Sequence, residues 1–188
     1  DDTYEYWTHE LMHAMLGAKD SYGYGASKFD IMGSPVDDER VAPAAWHRIH
    51  LGWVEPTIVV RDGYYVVHDA QASGDAFILY DPATGPGDYF IVENRSKTSY
   101  WDADTHDAGL VIWRIHEDFY SNDGAESKLV GWMQLMEPDG GWGNLDPSFL
   151  PDWKRVTRPG SLSDAWDPSD WRTRENVMDR PWSDETTD

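Results

Sequence analysis

The residues best suited to chemistry lie in one short stretch near the start of the sequence, WTHELMHAMLGAKD. His9 and His13 stand four positions apart. In a helix their imidazoles therefore share one face and can converge on a single metal ion. Glu10 lies beside them, where its carboxylate could take a proton from a zinc-bound water. This spacing predicts a catalytic zinc site, but it also occurs in amphipathic helices whose two histidines simply face solvent.

The segments that must position these side chains can be predicted from the surrounding pattern. We expect a helix over Thr3–Leu16, which Gly17 would end in the left-handed conformation. A loop rich in Gly, Ser and Asp follows. A second helix is predicted over Pro43–Leu51, with proline at its first position and Gly52 just after its end.

After the second helix the pattern changes to the alternating and β-branched runs that are typical of strands. Six strands are predicted: Thr57–Arg61, Tyr64–His68, Ala76–Tyr80, Tyr89–Asn94, Leu110–His116 and Leu129–Met136. The first two would form a hairpin through a turn at Arg61–Gly63. The expected fold class is therefore α+β. The expected domains are a helical part at 1–54, a β-rich domain at 55–140, and an irregular, acidic, Trp-rich segment at 141–188 that packs on the β-rich domain.

Composition argues against several classes of function. The chain of 188 residues carries a net charge of -20, which disfavours binding to nucleic acid and to anionic membranes. The absence of cysteine excludes disulfides, thiolate ligands and a cysteine nucleophile. No apolar run reaches the roughly 18 residues that a membrane-spanning helix needs. We therefore expect neither nucleic acid nor membrane as a partner.

Further motifs follow the histidine stretch in a distinctive order. They are FDIMG at Phe29–Gly33, AAWHRIHLGW at Ala44–Trp53, GDYFIVENRS at Gly87–Ser96, AGLVIWRIHED at Ala108–Asp118 and LMEPDG at Leu135–Gly140. Together with the histidine stretch, this series resembles secreted bacterial metalloproteases of the immune-inhibitor-A family, which belongs to the metzincin clan. The resemblance covers most of residues 7–140.

The resemblance implies a metzincin-type zinc helix and C-terminal subdomain, followed by an antiparallel, sandwich-like β domain. It implies that His9, His13 and Asp20 bind zinc and that Glu10 is the general base. Met32 would form the turn beneath the metal ligands. The expected activity is that of a secreted zinc endopeptidase, which hydrolyses protein or peptide substrates through a zinc-bound water activated by Glu10.

The spacing around the third ligand departs from the family pattern. The family places glycine three residues after the second histidine and the ligand aspartate six residues after it. Here Gly17 comes four residues after His13, and Asp20 comes seven residues after it. Asp20 is the expected third ligand and Asp30 is its competitor. The other role open to Asp30 is to hydrogen-bond the loop backbone near Met32.

Other expectations concern additional ligands and groups. A structural calcium ion is expected from the resemblance, with oxygen-rich loops at Asp102–Gly109 and His116–Gly124 as candidate sites. Tyr22 or Tyr24 could donate a hydrogen bond to the tetrahedral intermediate, although packing is the simpler role for both. His47 and His50 are expected to serve packing or surface roles.

The sheet that precedes the zinc helix in metzincins carries the edge strand that pairs with extended substrate, and it has no counterpart in this sequence. We therefore expect this chain to be a fragment of a longer catalytic domain, or a nicked product that stays associated with an N-terminal fragment of the same precursor, which would complete the cleft and cover apolar residues of the zinc helix. A reduced form without a complete cleft is the third possibility. The alternative interpretation is a non-catalytic binding or structural module with a vestigial or structural metal site.

Overall fold

A computed structural model describes residues 4–21, 29–33, 40–80, 82–83, 85–105, 108–117 and 132–136 of the chain. In chain order the elements are α1 (Tyr4–Leu16), α2 (Ala45–His50), β1 (Thr57–Val59), α3 (Ala70–Ser73), β2 (Phe77–Tyr80), β3 (Asp88–Arg95), a short 3₁₀ turn (Tyr100–Asp102), β4 (Gly109–His116) and β5 (Met133–Leu135). The protein is thus of the α+β class, as expected. In these ranges, no helix has the length and apolar character needed to cross a bilayer.

Helix α1 ends as the sequence predicted, at a glycine in the left-handed conformation. Gly17 has φ of 65°. Its N–H donates to the carbonyl of His13 at 3.1 Å, and the N–H of Ala18 donates to the carbonyl of Met12 at 3.2 Å. The bond from Gly17 is the 5→1 bond of the αL helix end, and both bonds satisfy carbonyls near the end of the helix as the chain reverses. The turn therefore brings residues 18–21 back alongside α1.

Helix α2 is shorter than its prediction because Ala44 has an extended backbone, with φ of -58° and ψ of 157°. Its buried N-terminal amides have side-chain partners from distant segments. The N–H of Ala44 donates to Asp30 Oδ1 at 3.0 Å, and the N–H of Ala45 donates to Glu93 Oε1 at 3.1 Å. Carboxylates at a helix N-terminus also interact favourably with the helix dipole.

The strands form one mixed sheet in the order β1-β2-β3-β4-β5. Strands β2 to β5 pair antiparallel, and β3 and β4 form the longest ladder, from Asp88 opposite His116 to Arg95 opposite Gly109. Strand β1 pairs with β2 in parallel. The expectation of a wholly antiparallel β domain was therefore wrong for this first pair. A second sheet, as in a sandwich, is not present among the residues described.

The predicted hairpin at Arg61–Gly63 and the predicted strand Tyr64–His68 were also wrong. Parallel strands cannot be joined by a tight turn and need a crossover. The chain between β1 and β2 contains α3 instead, which Asp69 caps by accepting hydrogen bonds from the amides of its first turn. Gly74, with φ of 76°, ends this helix. The alternating apolar side chains that suggested a strand remain largely exposed, including Tyr64 and Val66.

One hydrophobic core joins α2 to the sheet. Its buried members are Phe29, Ala44, Ala45, Trp46, Ala76, Ile91, Val111, Trp113, Ile115, Trp132, Met133 and Leu135. A smaller cluster of Met12, Ala18, Ile31 and Met32 lies beneath α1. The predicted boundary after residue 54 stays a prediction, but residues from both sides of it share the larger core.

A buried arginine ties the loops around α2 to the sheet. Arg95 is fully buried and donates to both carboxylate oxygens of Asp102. It also donates to the carbonyls of Phe29 and Ala42, each at 3.1 Å. Burial lowers the pKa of Arg95, but the charges of Glu93 and Asp102 more than offset this and raise the pKa above its ordinary value. The guanidinium therefore remains charged inside the protein.

Glu93 connects this arginine to α2. Its carboxylate accepts hydrogen bonds from Arg48, from the indole of Trp113 at 2.7 Å and from the amide of Ala45. Arg48 also donates to the carbonyl of Ala70 at 2.9 Å. Each of these buried charges thus has an opposite charge beside it. Arg95, Glu93 and Asp102 make further hydrogen bonds as well, and this is the condition for burying ions without a large loss of stability.

Arg95→Met should lower the free energy of unfolding by about 3–5 kcal/mol, because it leaves Asp102 as an uncompensated buried charge and Glu93 with Arg48 as its remaining ion-pair partner. Urea denaturation followed by tryptophan fluorescence measures this. The control is Arg114→Met on the neighbouring strand, whose partner Asp88, 2.9 Å away, is partly exposed. It should cost about 1 kcal/mol or less. Equal losses in the two variants would contradict this account of the core.

Candidate metal centre

Three side chains converge at the C-terminal half of α1. His9 and His13 point from one face of the helix, and Asp20 returns to them from the turn that follows. The two Nε2 atoms are 3.1 Å apart. Asp20 Oδ1 lies 3.0 Å from Nε2 of His13 and 3.3 Å from Nε2 of His9. The structure thus brings together all three residues that were predicted as metal ligands.

The hydrogen bonds of the two Nδ1 atoms determine whether the Nε2 atoms can act as metal ligands. Nδ1 of His9 lies 2.9 Å from the carbonyl of Ile31, and Nδ1 of His13 lies 2.8 Å from the carbonyl of Ala18. A carbonyl only accepts, so each Nδ1 must carry the hydrogen, and in a neutral imidazole Nε2 is then bare. Three acceptor atoms therefore face one another, namely the two Nε2 atoms and Oδ1 of Asp20.

This donor set suits zinc. Two imidazole nitrogens and one carboxylate oxygen are a known combination for zinc with an open fourth position. Bonds of about 2.0–2.1 Å in a tetrahedral site place ligand atoms about 3.3 Å apart, close to the separations observed here. A proton on one ring would satisfy some of the contacts among the three atoms. A divalent cation would satisfy all of them.

The ligand-bearing turn is held from two sides. Beyond Asp20, the amide of Ser21 donates to the carbonyl of Met32 at 2.8 Å, and its hydroxyl donates to Asp30 Oδ2 at 2.6 Å. The carbonyl of Asp20 accepts from the indole of Trp132 at 2.7 Å. The one-residue departure from the family spacing therefore does not keep the carboxylate of Asp20 from the two histidines.

Asp30, the competitor for the third ligand position, occupies a different place. It is buried and accepts hydrogen bonds from the hydroxyl of Ser21 and from the amides of Met32, at 3.3 Å, and Ala44. Its Oδ2 also lies 3.0 Å from Nε2 of the buried His47. In this structure Asp30 has the backbone-bonding role near Met32 that was its other expected function.

The surroundings of Asp30 favour its charged form. Burial raises the pKa of this carboxyl, but its electrostatic interaction and hydrogen bond with His47 and the hydrogen bonds from Ser21 and Ala44 outweigh that effect and lower the pKa below its ordinary value of 3.8. Asp30 therefore stays ionised inside the protein and can hold three chain segments together.

The remaining predicted residues are placed as follows. Met32 is fully buried in the cluster beneath α1, as a packing residue would be. Glu10 follows His9 on α1 with its side chain exposed. Tyr22 and Tyr24, the candidate oxyanion donors, lie outside the described residues. His50 is exposed and stacks on Trp46 with ring centroids 4.7 Å apart.

Two contributors were missed at the sequence level. His47 was expected only to pack or to face solvent, yet it pairs with Asp30 inside the protein. Trp132 was not singled out at all, although it reaches the carbonyl of Asp20. No local pattern signals either contact, because the partners come together only through the tertiary fold.

The candidate calcium loops are only partly described. In the first loop, Asp102 is bound by Arg95, and Asp104 pairs with Arg40 at 2.7 Å. Most of the second loop lies outside the described residues. A structural calcium ion in this protein stays a prediction.

Comparisons of the chain with family models, curated proteins and solved structures find no match. The relation to the immune-inhibitor-A family remains a resemblance of ordered motifs.

The metal-free protein should lose stability in acid as the carboxyl of Asp30 takes up a proton. Because its folded pKa lies below the unfolded value, its stabilising effect is complete above about pH 5 and is lost as pH falls through the folded pKa. Asp30→Asn should flatten the dependence of the unfolding free energy on pH over this range, as urea titrations would show. The exposed Asp62→Asn is the control, and the same flattening in it would contradict the assignment.

Proposed function

We propose that this chain carries the metal site of a secreted, metzincin-type zinc endopeptidase that cleaves protein or peptide substrates. His9, His13 and Asp20 would hold the metal, and Glu10 would act as the general base. The observation that supports this best is the convergence of three bare acceptor atoms within 3.0–3.3 Å, two of them on imidazoles whose other nitrogens are occupied by carbonyls. Secretion and the metzincin-type architecture rest on the motif resemblance.

When bound, zinc lowers the pKa of a coordinated water and polarises the scissile carbonyl. The chain's own residues supply the remaining steps. The carboxylate of Glu10, exposed on the helix next to His9, accepts a proton from the attacking water and passes it to the departing amine. This transfer leaves Glu10 in its starting state, ready for the next substrate.

The two histidines are prepared for ligation by their hydrogen bonds. Each Nδ1–H is directed to a main-chain carbonyl, which fixes the tautomer and the orientation of the ring. The carbonyl partners are Ile31 and Ala18, which belong to the buried cluster beneath α1. A ring held in this way loses little freedom when it binds a metal. Asp20 adds one negative charge, which partly neutralises a divalent ion.

The outer face of α1 supports the proposal that another polypeptide segment completes the cleft. Trp7, Leu11 and Met15 are 62%, 52% and 74% exposed. Contiguous exposed apolar side chains mark surfaces that contact another protein segment. We propose an N-terminal part of the same precursor as that segment, with the substrate binding between it and the metal ligands.

The wild-type protein should bind one equivalent of zinc, measured by elemental analysis after dialysis. Zinc at a hundredfold excess over its Kd should stabilise the fold by about 2.7 kcal/mol, and a chelator should reverse this. His13→Ala should abolish the stabilisation, whereas His68→Ala, at an exposed histidine outside the site, should retain it. A wild-type protein that binds no zinc, or that binds it with no exchangeable water, would favour the alternative of a non-catalytic module.

Glu10→Gln should lower hydrolysis of a protein substrate by at least about a hundredfold while zinc content is unchanged, because the amide cannot accept the proton. The assay uses the complete protein with any segment that covers α1. Glu55→Gln, at another exposed glutamate, is the control and should leave the rate as it is. Full activity in Glu10→Gln would exclude Glu10 as the general base.

A further inference from the structure

Trp132 lies far from the metal ligands in the sequence but contacts one of them directly. Its indole Nε1 donates a hydrogen bond of 2.7 Å to the main-chain carbonyl of Asp20, across 112 residues of chain. The side chain is fully buried. An indole has only this one donor, and a buried one needs a partner. Here the indole N–H of Trp132 is hydrogen-bonded to the backbone of Asp20, the residue that supplies the carboxylate.

The indole is held in place by its neighbours. The carbonyl of Trp132 accepts from the amide of His116 at 2.8 Å, which attaches it to β4. The ring packs edge-on against Trp46 with centroids 4.5 Å apart, and against His47 at 5.7 Å. Lys19 Nζ lies 5.2 Å from the centroid of Trp132 and 5.3 Å from that of Trp46. The indole N–H of Trp132 is therefore held in position by contacts with its neighbours in the core.

The residue that receives this bond needs such support. Asp20 lies in an irregular turn, and about a quarter of its side chain is exposed. Ala18 is tied to α1 through Met12, and Ser21 is tied to Asp30. The bond from Trp132 fixes the carbonyl between these two anchors. A fixed backbone limits the positions that the side-chain rotamers of Asp20 can reach, including that of Oδ1.

We propose that Trp132 is a positioning residue for the metal site, holding the carbonyl of Asp20 so that its carboxylate meets His9 and His13. This inference rests on the proposed metal binding and deepens it, because the affinity for zinc then depends on the sheet as well as on α1. Groups that orient metal ligands from behind typically contribute 10- to 100-fold to affinity.

Trp132→Phe tests the inference, because it keeps an aromatic ring in the core and removes the donor. We expect the affinity for zinc, measured by competition with a chromophoric chelator, to fall about tenfold. The visible absorption of the cobalt-substituted protein should also change, because Asp20 would no longer hold its place in the coordination sphere. The matched control is Trp113→Phe, which removes another buried indole donor, to Glu93, from the core of the sheet. It should bind zinc as the wild type does.

A double-mutant cycle separates positioning from a general loss of stability. In an Asp20→Ala background, Trp132→Phe should cause no further fall in zinc affinity, since the group it positions is gone. A fall of the same size in both backgrounds would overturn the inference, and so would identical zinc affinities and cobalt spectra for Trp132→Phe and Trp113→Phe. If the wild type itself bound no zinc, the proposed function would fail and the inference with it. If the wild type bound zinc and only the tryptophan effect were missing, the inference alone would fail.

Discussion

The ionised carboxylate of Asp30 is the contact on which the arrangement around the candidate metal site depends. Its two oxygens join the turn after α1, through Ser21, to the N-terminus of α2, through Ala44. They also meet His47 from within α2. A neutral side chain could not serve all these partners, because it would lack either the charge or the number of acceptor sites. Burial of one carboxylate thus fixes the relative positions of three segments that are separate in sequence.

The sheet supports this arrangement from below through a second set of charges. Arg95 reaches from β3 to the carbonyl of Phe29, directly before Asp30, and Glu93 caps α2. The segment that carries Ile31 and Met32 is therefore held at Phe29 by Arg95, and the amide of Ser21 holds it at the carbonyl of Met32. This matters for chemistry because the carbonyl of Ile31 orients the ring of His9. Ring orientation at the surface of α1 is in this way determined by ion pairs in the core.

Much of the fold and of the candidate metal site could be predicted from the sequence wherever neighbouring residues determine the structure. The helix carrying His9 and His13, its end at Gly17 and the return of Asp20 depend on neighbouring residues and on one glycine conformation. The long strands β3 and β4 were also predicted to within two residues. The parallel pairing of β1 could not be predicted, because alternation describes a strand without describing its partner. The contacts of His47 and Trp132 escaped prediction because they exist only once distant segments have packed.

The bond from Trp132 to Asp20 has a consequence for the order of events during folding. It closes a loop of more than a hundred residues, and contacts of such long range form late because their loop-closure entropy must be overcome first. During synthesis the indole emerges from the ribosome long after α1 has been made. The two histidines can adopt their helical spacing early, but the carboxylate opposite them is secured only when β5 joins the sheet. Maturation of the site is thereby coupled to completion of the β-rich part of the chain.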